Sequence, residues 1–371
     1  MHRLVALAAA LCAALVGIGL AGSSSSANPH AARAVGCVAR WRAVAHGTSV
    51  PILDSVAAVS ATDVWMAGSS GESPVIAHWD GHSFRFIRPV AGPGDLTGIA
   101  AVDHGDVWAV GYSGKTTAVR RPLVLHWDGA RWRSLTVPVP IGSLSDVRAF
   151  SASSVWAVGG AGNGAASVRA IVLVWNGRTW RTTFLGARES SLSALDGSSP
   201  DDIWAVGGAR LDAPLMASQE PLVIHWDALG WRESYRQKSG SFVPNVDPWI
   251  IDFGAVTVRD RNDIWSLAHH FADYGEYVLH WNGKRQRVAD EDLGNAWFLD
   301  IAAPSAKDVW AVGRLGYEPS RPLVARWTGY SFESQVTSFD QLRNGSLNAA
   351  SALSAVEIWA VGDHLVARYS C

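Results

Sequence analysis

Two adjacent histidines, His269 and His270, with Asp273 three residues on, are the groups best suited to acid–base work in this chain. An imidazole titrates near neutral pH, and a carboxylate beside it can assist. Trp249, Tyr274, Tyr277 and Trp297 lie close by in sequence and offer aromatic faces to a ligand. Such a mixture suits a sugar or a peptide. Four further histidines, His78, His126, His225 and His280, each precede a tryptophan. They could be metal ligands only if brought together, since a zinc–nitrogen bond is about 2.0–2.1 Å long. Asp54, Asp146 and Asp300 supply hard oxygens of the kind Ca²⁺ prefers. Solvated carboxylates that hold turns are the commoner use of such residues. No phosphate-cradling glycine loop, nucleophile elbow or paired zinc motif is present. No cofactor is expected.

The elements that position these groups follow from a repeat. The hexamer Asp63-Val64-Trp65-Met66-Ala67-Gly68 recurs with its tryptophan at Trp108, Trp156, Trp204, Trp265, Trp310 and Trp359, which makes seven copies. A period of 40 to 50 residues, strand-like in composition, is that of propeller blades. Each copy reads as four short strands. Leu96–Val102, Asp106–Tyr112, Leu123–Trp127 and Arg131–Val137 are strands a to d of the second. Asp128-Gly129 between c and d predicts a two-residue type I′ hairpin turn. The spacing therefore predicts an all-β, seven-bladed β-propeller of four-stranded antiparallel blades. Its strands run apolar on both faces because each blade packs on two neighbours. Most of the nineteen tryptophans are then wedge-filling core. Equivalent histidines on different blades lie too far apart to share a metal, so local hydrogen bonds are expected of them.

The seventh repeat stops at Cys371, after its third strand. The missing fourth strand is at the other end of the chain, where Ala39-Arg40-Trp41-Arg42 matches Ala130-Arg131-Trp132-Arg133. The N-terminal strand is expected to complete the last blade and close the ring. Cys37 and Cys371 then fall at the two ends of the absent c–d turn, within disulfide reach. A Cys37–Cys371 bridge would replace that turn.

An apolar run from Leu4 to Ala21, preceded by Arg3 and followed by Ser23–Ser26, predicts a signal peptide over residues 1–27. Cleavage is expected after residue 21 or 27. Residues 28–36 form a short linker and 37–371 one propeller domain. No other stretch could cross a membrane. A formal net charge of -2 argues against nucleic acid as a partner. Arginine far outnumbers lysine and alanine and glycine abound, a composition typical of GC-rich bacterial genes.

The Asp-Val-Trp-Ala-Val-Gly-like hexamers and the His-Trp-Asp-Gly-x-x-Trp hairpins, such as His126 to Trp132, resemble repeats of secreted bacterial propellers of the kelch and Asp-box (BNR-like) kind. That resemblance implies fold far more than activity, because propellers host many functions. Loop variability supplies the functional expectation. The a–b and c–d turns barely vary, whereas the b–c loops and d–a links do, and these emerge on one face. The expectation is a secreted, monomeric, non-catalytic binding scaffold whose partner is a glycan, protein or small molecule. The alternative is an extracellular lyase or glycan-active hydrolase, with His269 or His270 as base and Asp273 assisting.

Overall fold

The computed structural model describes residues 38–164, 166–210, 219–233, 250–270, 276–284, 286–290, 295–317 and 319–371, with backbone alone at 210, 219, 250, 251, 270, 286 and 290. Every regular element among them is a strand. Twenty-eight strands form seven four-stranded antiparallel sheets. Blade one comprises Ile52–Ser60, Asp63–Ser70, Ser73–Trp79 and Phe84–Ile87 as strands a to d. Blades two to six repeat that meander, with strands a at Gly94–Asp103, Gly142–Ser151, Ser190–Ser199, Ile250–Asp260 and Ala296–Ser305. Blade seven is assembled from both chain ends, with sheet order Leu347–Ser354, Glu357–Gly362, Leu365–Ser370 and Arg40–His46. Arg40 pairs with Ser370 and Trp41 with Tyr369, the closure read from the sequence.

The tryptophan pattern explains why the blades stack. Each hexamer tryptophan reaches the next blade. Trp65 contacts Trp127 and Trp132 at ring-centroid distances of 5.6 and 5.7 Å. Trp108 repeats this with Trp175 and Trp180, and Trp156 with Trp226 and Trp231. Around the closure, Trp310 packs on Trp41 and Tyr369, and Trp359 on Trp79. Edge-to-face and tilted pairs at these distances add to simple area burial. Trp108, Trp265, Trp310 and Trp359 are among the largest fully buried side chains.

The hexamer glycine has a different cause. A Cβ at Gly111 would sit 2.1 Å from the Asp95 carbonyl oxygen, so strand b needs glycine to approach strand a there. Blade five has Ala268 instead, and its strand a carries an additional register irregularity between Ile250 and Asp252.

The c–d turns correct one expectation. They are four residues long in all six blades where both strands flank the turn, not two. Gly81, Gly129, Gly177, Gly283 and Gly329 have positive φ, but the residue before each does not, so the turns are not type I′. The Asp128 side chain accepts hydrogen bonds from the amides of Ala130 and Arg131, at 3.0 and 2.9 Å, and this Asx-type cap takes the place of a tight hairpin. Those two amides hold the Asp128 carboxyl below its ordinary pKa. Ala228 occupies the glycine place in blade four with φ 66°, a left-handed alanine.

Connection lengths separate the two faces. The a–b turn has two residues in all seven blades. The b–c loops run from two to eight residues and the d–a links from one to sixteen. In an antiparallel meander these variable connections share the face from which strand a starts. No helix among the described residues is long and apolar enough to cross a membrane.

Candidate functional site at the inner ends of the blades

The seven strands a line a central cavity of about 590 Å³. Side chains facing it stitch six of the seven blades to the next. Ser55 Oγ accepts from the Ile99 amide, and Thr97 Oγ1 donates to the Leu144 carbonyl. Asp146 accepts from the Leu195 amide at 3.0 Å, and Asp196 from the Val258 amide at 2.7 Å. Asp300 accepts from the Ala350 amide at 2.8 Å, and Ser351 Oγ from the Ala58 amide, which carries the stitching across the closure. Blade five sends no cavity-facing bond forward among the described residues, and meets blade six instead through Glu276 and the Phe298 amide. Gly254 and Ala255 stand where other blades place Asp54 and Ser55, or Ser145 and Asp146.

Acids concentrate near the variable-loop end of this cavity. Burial raises Asp54 to about 7, aided by the charges of Asp95 and Asp363 and opposed by the Asn348 amide. That amide nitrogen donates to Asp54 at 3.2 Å. Burial likewise raises Asp300 to about 7 and Asp146 to about 6, against two backbone hydrogen bonds each. The three expected ion ligands are thus spread over blades one, three and six. No group of three His, Cys, Asp or Glu among the described residues is arranged to hold a metal.

Blade five carries the other concentration of charge. His269, Asp252 and Glu276 are cross-strand neighbours on strands b, a and c. His269 Nδ1 bonds the Asp252 carboxylate, and its Nε2 lies 3.3 Å from Glu276 Oε1. Burial alone would push His269 down, but hydrogen bonds to Asp252 and Glu276 and their charges outweigh it and raise it to about 10. Burial pushes the Glu276 carboxyl up, with His269 and the Phe298 amide of blade six opposing. The imidazole lies over Gly254, where a Cβ would meet His269 Cε1 at 3.1 Å. An imidazolium with a carboxylate at each nitrogen is a clamp and a poor general base, which needs a lone pair free near pH 7.

Asp252 and Glu276 were not among the residues singled out from the sequence, yet the repeat held the signal. By register, Glu276 stands where Pro74, Pro122, Pro221 and Pro322 stand in other blades. His269 stands where Ser69, Tyr112 and Arg314 do. Of the other candidates, Tyr277 is half-buried against the core shared by blades four and five. Trp297 is the second residue of strand a of blade six, half-buried, with the Arg314 guanidinium 5.2 Å from its ring and the exposed Tyr317 beside it. Trp249, Asp273, Tyr274 and Cys37 lie outside the described residues, as does the His270 side chain.

The repeated histidines sit at the opposite ends of their blades and form a separate module. His126 Nε2 bonds Asp106 at 2.8 Å while its ring stacks on Trp108 at 4.0 Å. His78 with Asp63, His225 with Asp202 and His280 with Asp263 do the same. In blades six and seven, arginine replaces histidine: Arg326 pairs with Asp308 and Arg368 with Glu357, each lying over the hexamer tryptophan. These histidines bond locally, as expected, and hold the blade together.

Among solved structures, the chain is similar to YCF48 bound to D1 peptide, at 13% identity and TM-score 0.56, over 89% of this chain and 97% of that one. YCF48 from Cyanidioschyzon merolae matches at 13% identity and TM-score 0.57, over 89% and 99%. The Cps50 (Swd1) β-propeller domain of Myceliophteria thermophila matches at 10% identity and TM-score 0.54, over 86% and 97%. The fold is a seven-bladed β-propeller. At these identities the likeness extends to fold alone. No protein-family model and no curated protein matches the chain.

Proposed function

We propose that this chain is a secreted, non-catalytic interaction scaffold that holds a peptide or protein partner on its variable-loop face. The observation that carries the reading is the contrast in connection lengths. Fourteen-strand regularity on one side, with two-residue a–b turns throughout, faces links of one to sixteen residues on the other. A rigid ring bearing variable loops on one face is how binding surfaces are built. That YCF48 is a propeller seen with a peptide bound supports the peptide reading. The clamped state of His269 weighs against the lyase or hydrolase alternative. Secretion rests on the apolar run Leu4–Ala21 and its Ser-rich exit, and the kelch or Asp-box affinity rests on the hexamers and hairpins.

The test is peptide display against the intact secreted chain, followed by substitution on each face. Tyr317→Ala and Lys115→Ala, on variable connections, are expected to weaken a selected peptide. Leu229→Ala and Tyr330→Ala, on the c–d turns, are expected to leave it unchanged. Loss confined to the c–d turn variants would overturn the assignment of the face.

The Cys37–Cys371 bridge belongs to the same proposal. The pairing of Arg40 with Ser370 brings the closing strands into the register it requires. Cys371→Ser is expected to cost up to about 5–6 kcal/mol by chain-entropy reasoning for so long a loop. Alkylation of both thiols in the native, non-reduced protein would exclude it.

A further inference from the structure

The cavity has a polarity along its length that the stitching does not require. Counting from the variable-loop end of each strand a, Asp54 is the third residue of its strand, and Asp146 and Asp300 are each the fifth. The cationic residues lining the cavity come later: Arg148 is the seventh of its strand and Arg259 the tenth. Both are already engaged, Arg148 with Asp196 at 3.1 Å and Arg259 with Asp263 at 2.6 Å. Asp54 and Asp300 have no such cation. Burial holds both well above the ordinary carboxylate range, aided at Asp54 by the charges of Asp95 and Asp363 and at Asp300 by those of Asp146 and Asp196. Stitching does not need these charges, because Ser55 accepts with a hydroxyl the inter-blade amide that Asp146 and Asp300 accept with a carboxylate, and Ser351 does the same in the place of Asp196. The wall also contains an anomaly. The residue after the core Leu or Phe of strand a is Asp54, Thr97, Ser145, Ser193, Gly254 or Asn348 in six blades, and in blade six it is Leu299. Leu299 lines the cavity and is 38% exposed, next to Asp300.

A polar channel with unneutralised carboxylates at one end and one exposed aliphatic side chain among them matches a long side chain with an apolar stem and a cationic head. Lysine and arginine have that form. A low-dielectric channel end lined by one charge sign also focuses the field that draws such a group in. We propose that the variable-loop end of the channel receives a lysine or arginine side chain of the peptide partner, with its stem against Leu299 and its charge among Asp54, Asp146 and Asp300. This inference rests on the peptide reading above and adds the chemistry of the anchoring residue.

The test is titration of the intact chain with an arginine-containing peptide and with its citrulline counterpart, which keeps the shape and loses the charge. The arginine peptide is expected to bind at least about tenfold tighter. Leu299→Lys places a tethered ammonium in the channel from an exposed position, where folding is not at risk, and is expected to abolish binding. Asp300→Asn is expected to weaken it by about tenfold. Binding should fall as pH drops through 7 to 5, because Asp54, Asp300 and Asp146 then take up protons and lose the charge that attracts the ligand. Equal affinity for the arginine and citrulline peptides, or unchanged binding to Leu299→Lys, overturns the channel site. If the peptides still bind with sensitivity at Tyr317 and Lys115, the face assignment stands without it. Competition by Ca²⁺ alone, with no preference for arginine, assigns the carboxylates to an ion and also overturns it.

Discussion

Blades two and five carry the same module at one end and opposite chemistry at the other. Toward the two-residue turns, His126 with Asp106 and Trp108 is repeated by His280 with Asp263 and Trp265. Toward the variable loops, blade two has Tyr112 and Pro122 where blade five has His269 and Glu276. The lesson is that the same residue pair, histidine with carboxylate, means different things by position. Repeated around the ring, it is scaffold. Occurring once, with a buried Glu276 in a proline's place, it is a local specialisation that ties strands a, b and c together where Ala268 has loosened the approach of strands a and b.

The largest effect should not distinguish the two blades. Trp108→Ala and Trp265→Ala each delete a fully buried indole from an inter-blade seam. Each is expected to cost about 3–5 kcal/mol in denaturant unfolding. A much smaller cost in blade five alone would mean that its seam tolerates collapse and that the comparison extends to the core.

The next effect should appear only in blade five and should depend on pH. His269→Gln removes the imidazolium between Asp252 and Glu276. His269 is about one-third exposed, 35%, so solvent screening reduces the gain, and about 1–2 kcal/mol is expected near pH 6. The sign follows from linkage. A folded-state pKa of about 10, above the ordinary 6.5, gives stability that is complete below 6.5 and is lost as pH rises through 10. The gap between wild type and His269→Gln should therefore close from pH 7 to pH 10. An NMR titration that shows His269 deprotonating near pH 6.5 would break the contrast with blade two.

How far these features can be read without coordinates depends on whether they repeat. Seven tryptophan hexamers determine the blade count, and the Arg40-Trp41 match to Arg131-Trp132 determines the closure, because a ring demands equal parts. Blade five was marked as deviant by Ser266-Leu267-Ala268-His269-His270. The partners of His269 were harder to find. Asp252 is the third residue of a strand a that follows a sixteen-residue link, and Glu276 is visible only when strand c is aligned on the prolines of other blades. The cavity carboxylates were legible as strand-a residues. The partners of Asp146 and Asp300 are amides of the following blade, about 50 residues away, and that of Asp54 is Asn348 across the closure, and no local pattern carries either. The c–d turn was misread for a similar reason. Asp-Gly signals a turn, but the side chain of Asp128, not the pair of backbone angles, decides which turn forms.

A smaller effect tests the repeated module itself. His126→Ala breaks the bond to Asp106 and removes the ring stacked on Trp108, for about 1 kcal/mol. His126→Arg should be nearly neutral, since Arg326 and Arg368 fill that place over Trp310 and Trp359.

The smallest expected effect runs in the stabilising direction. Blade three lacks the module: Ser154 stands for the aspartate, and Val174 stands opposite Trp156 in the histidine's place. Both module partners are missing together, so either one restored alone should do little or harm. Ser154→Asp alone adds a carboxylate without a partner, and Val174→His alone replaces a half-buried apolar side chain with an unpaired ring. The double variant should regain a hydrogen bond and a stack on Trp156, with a coupling of about 0.5–1.5 kcal/mol in a double-mutant cycle. A coupling near zero would show that the Asp–His–Trp arrangement depends on something in blades one, two, four and five beyond these residues, and the repeated histidine would lose its standing as pure scaffold.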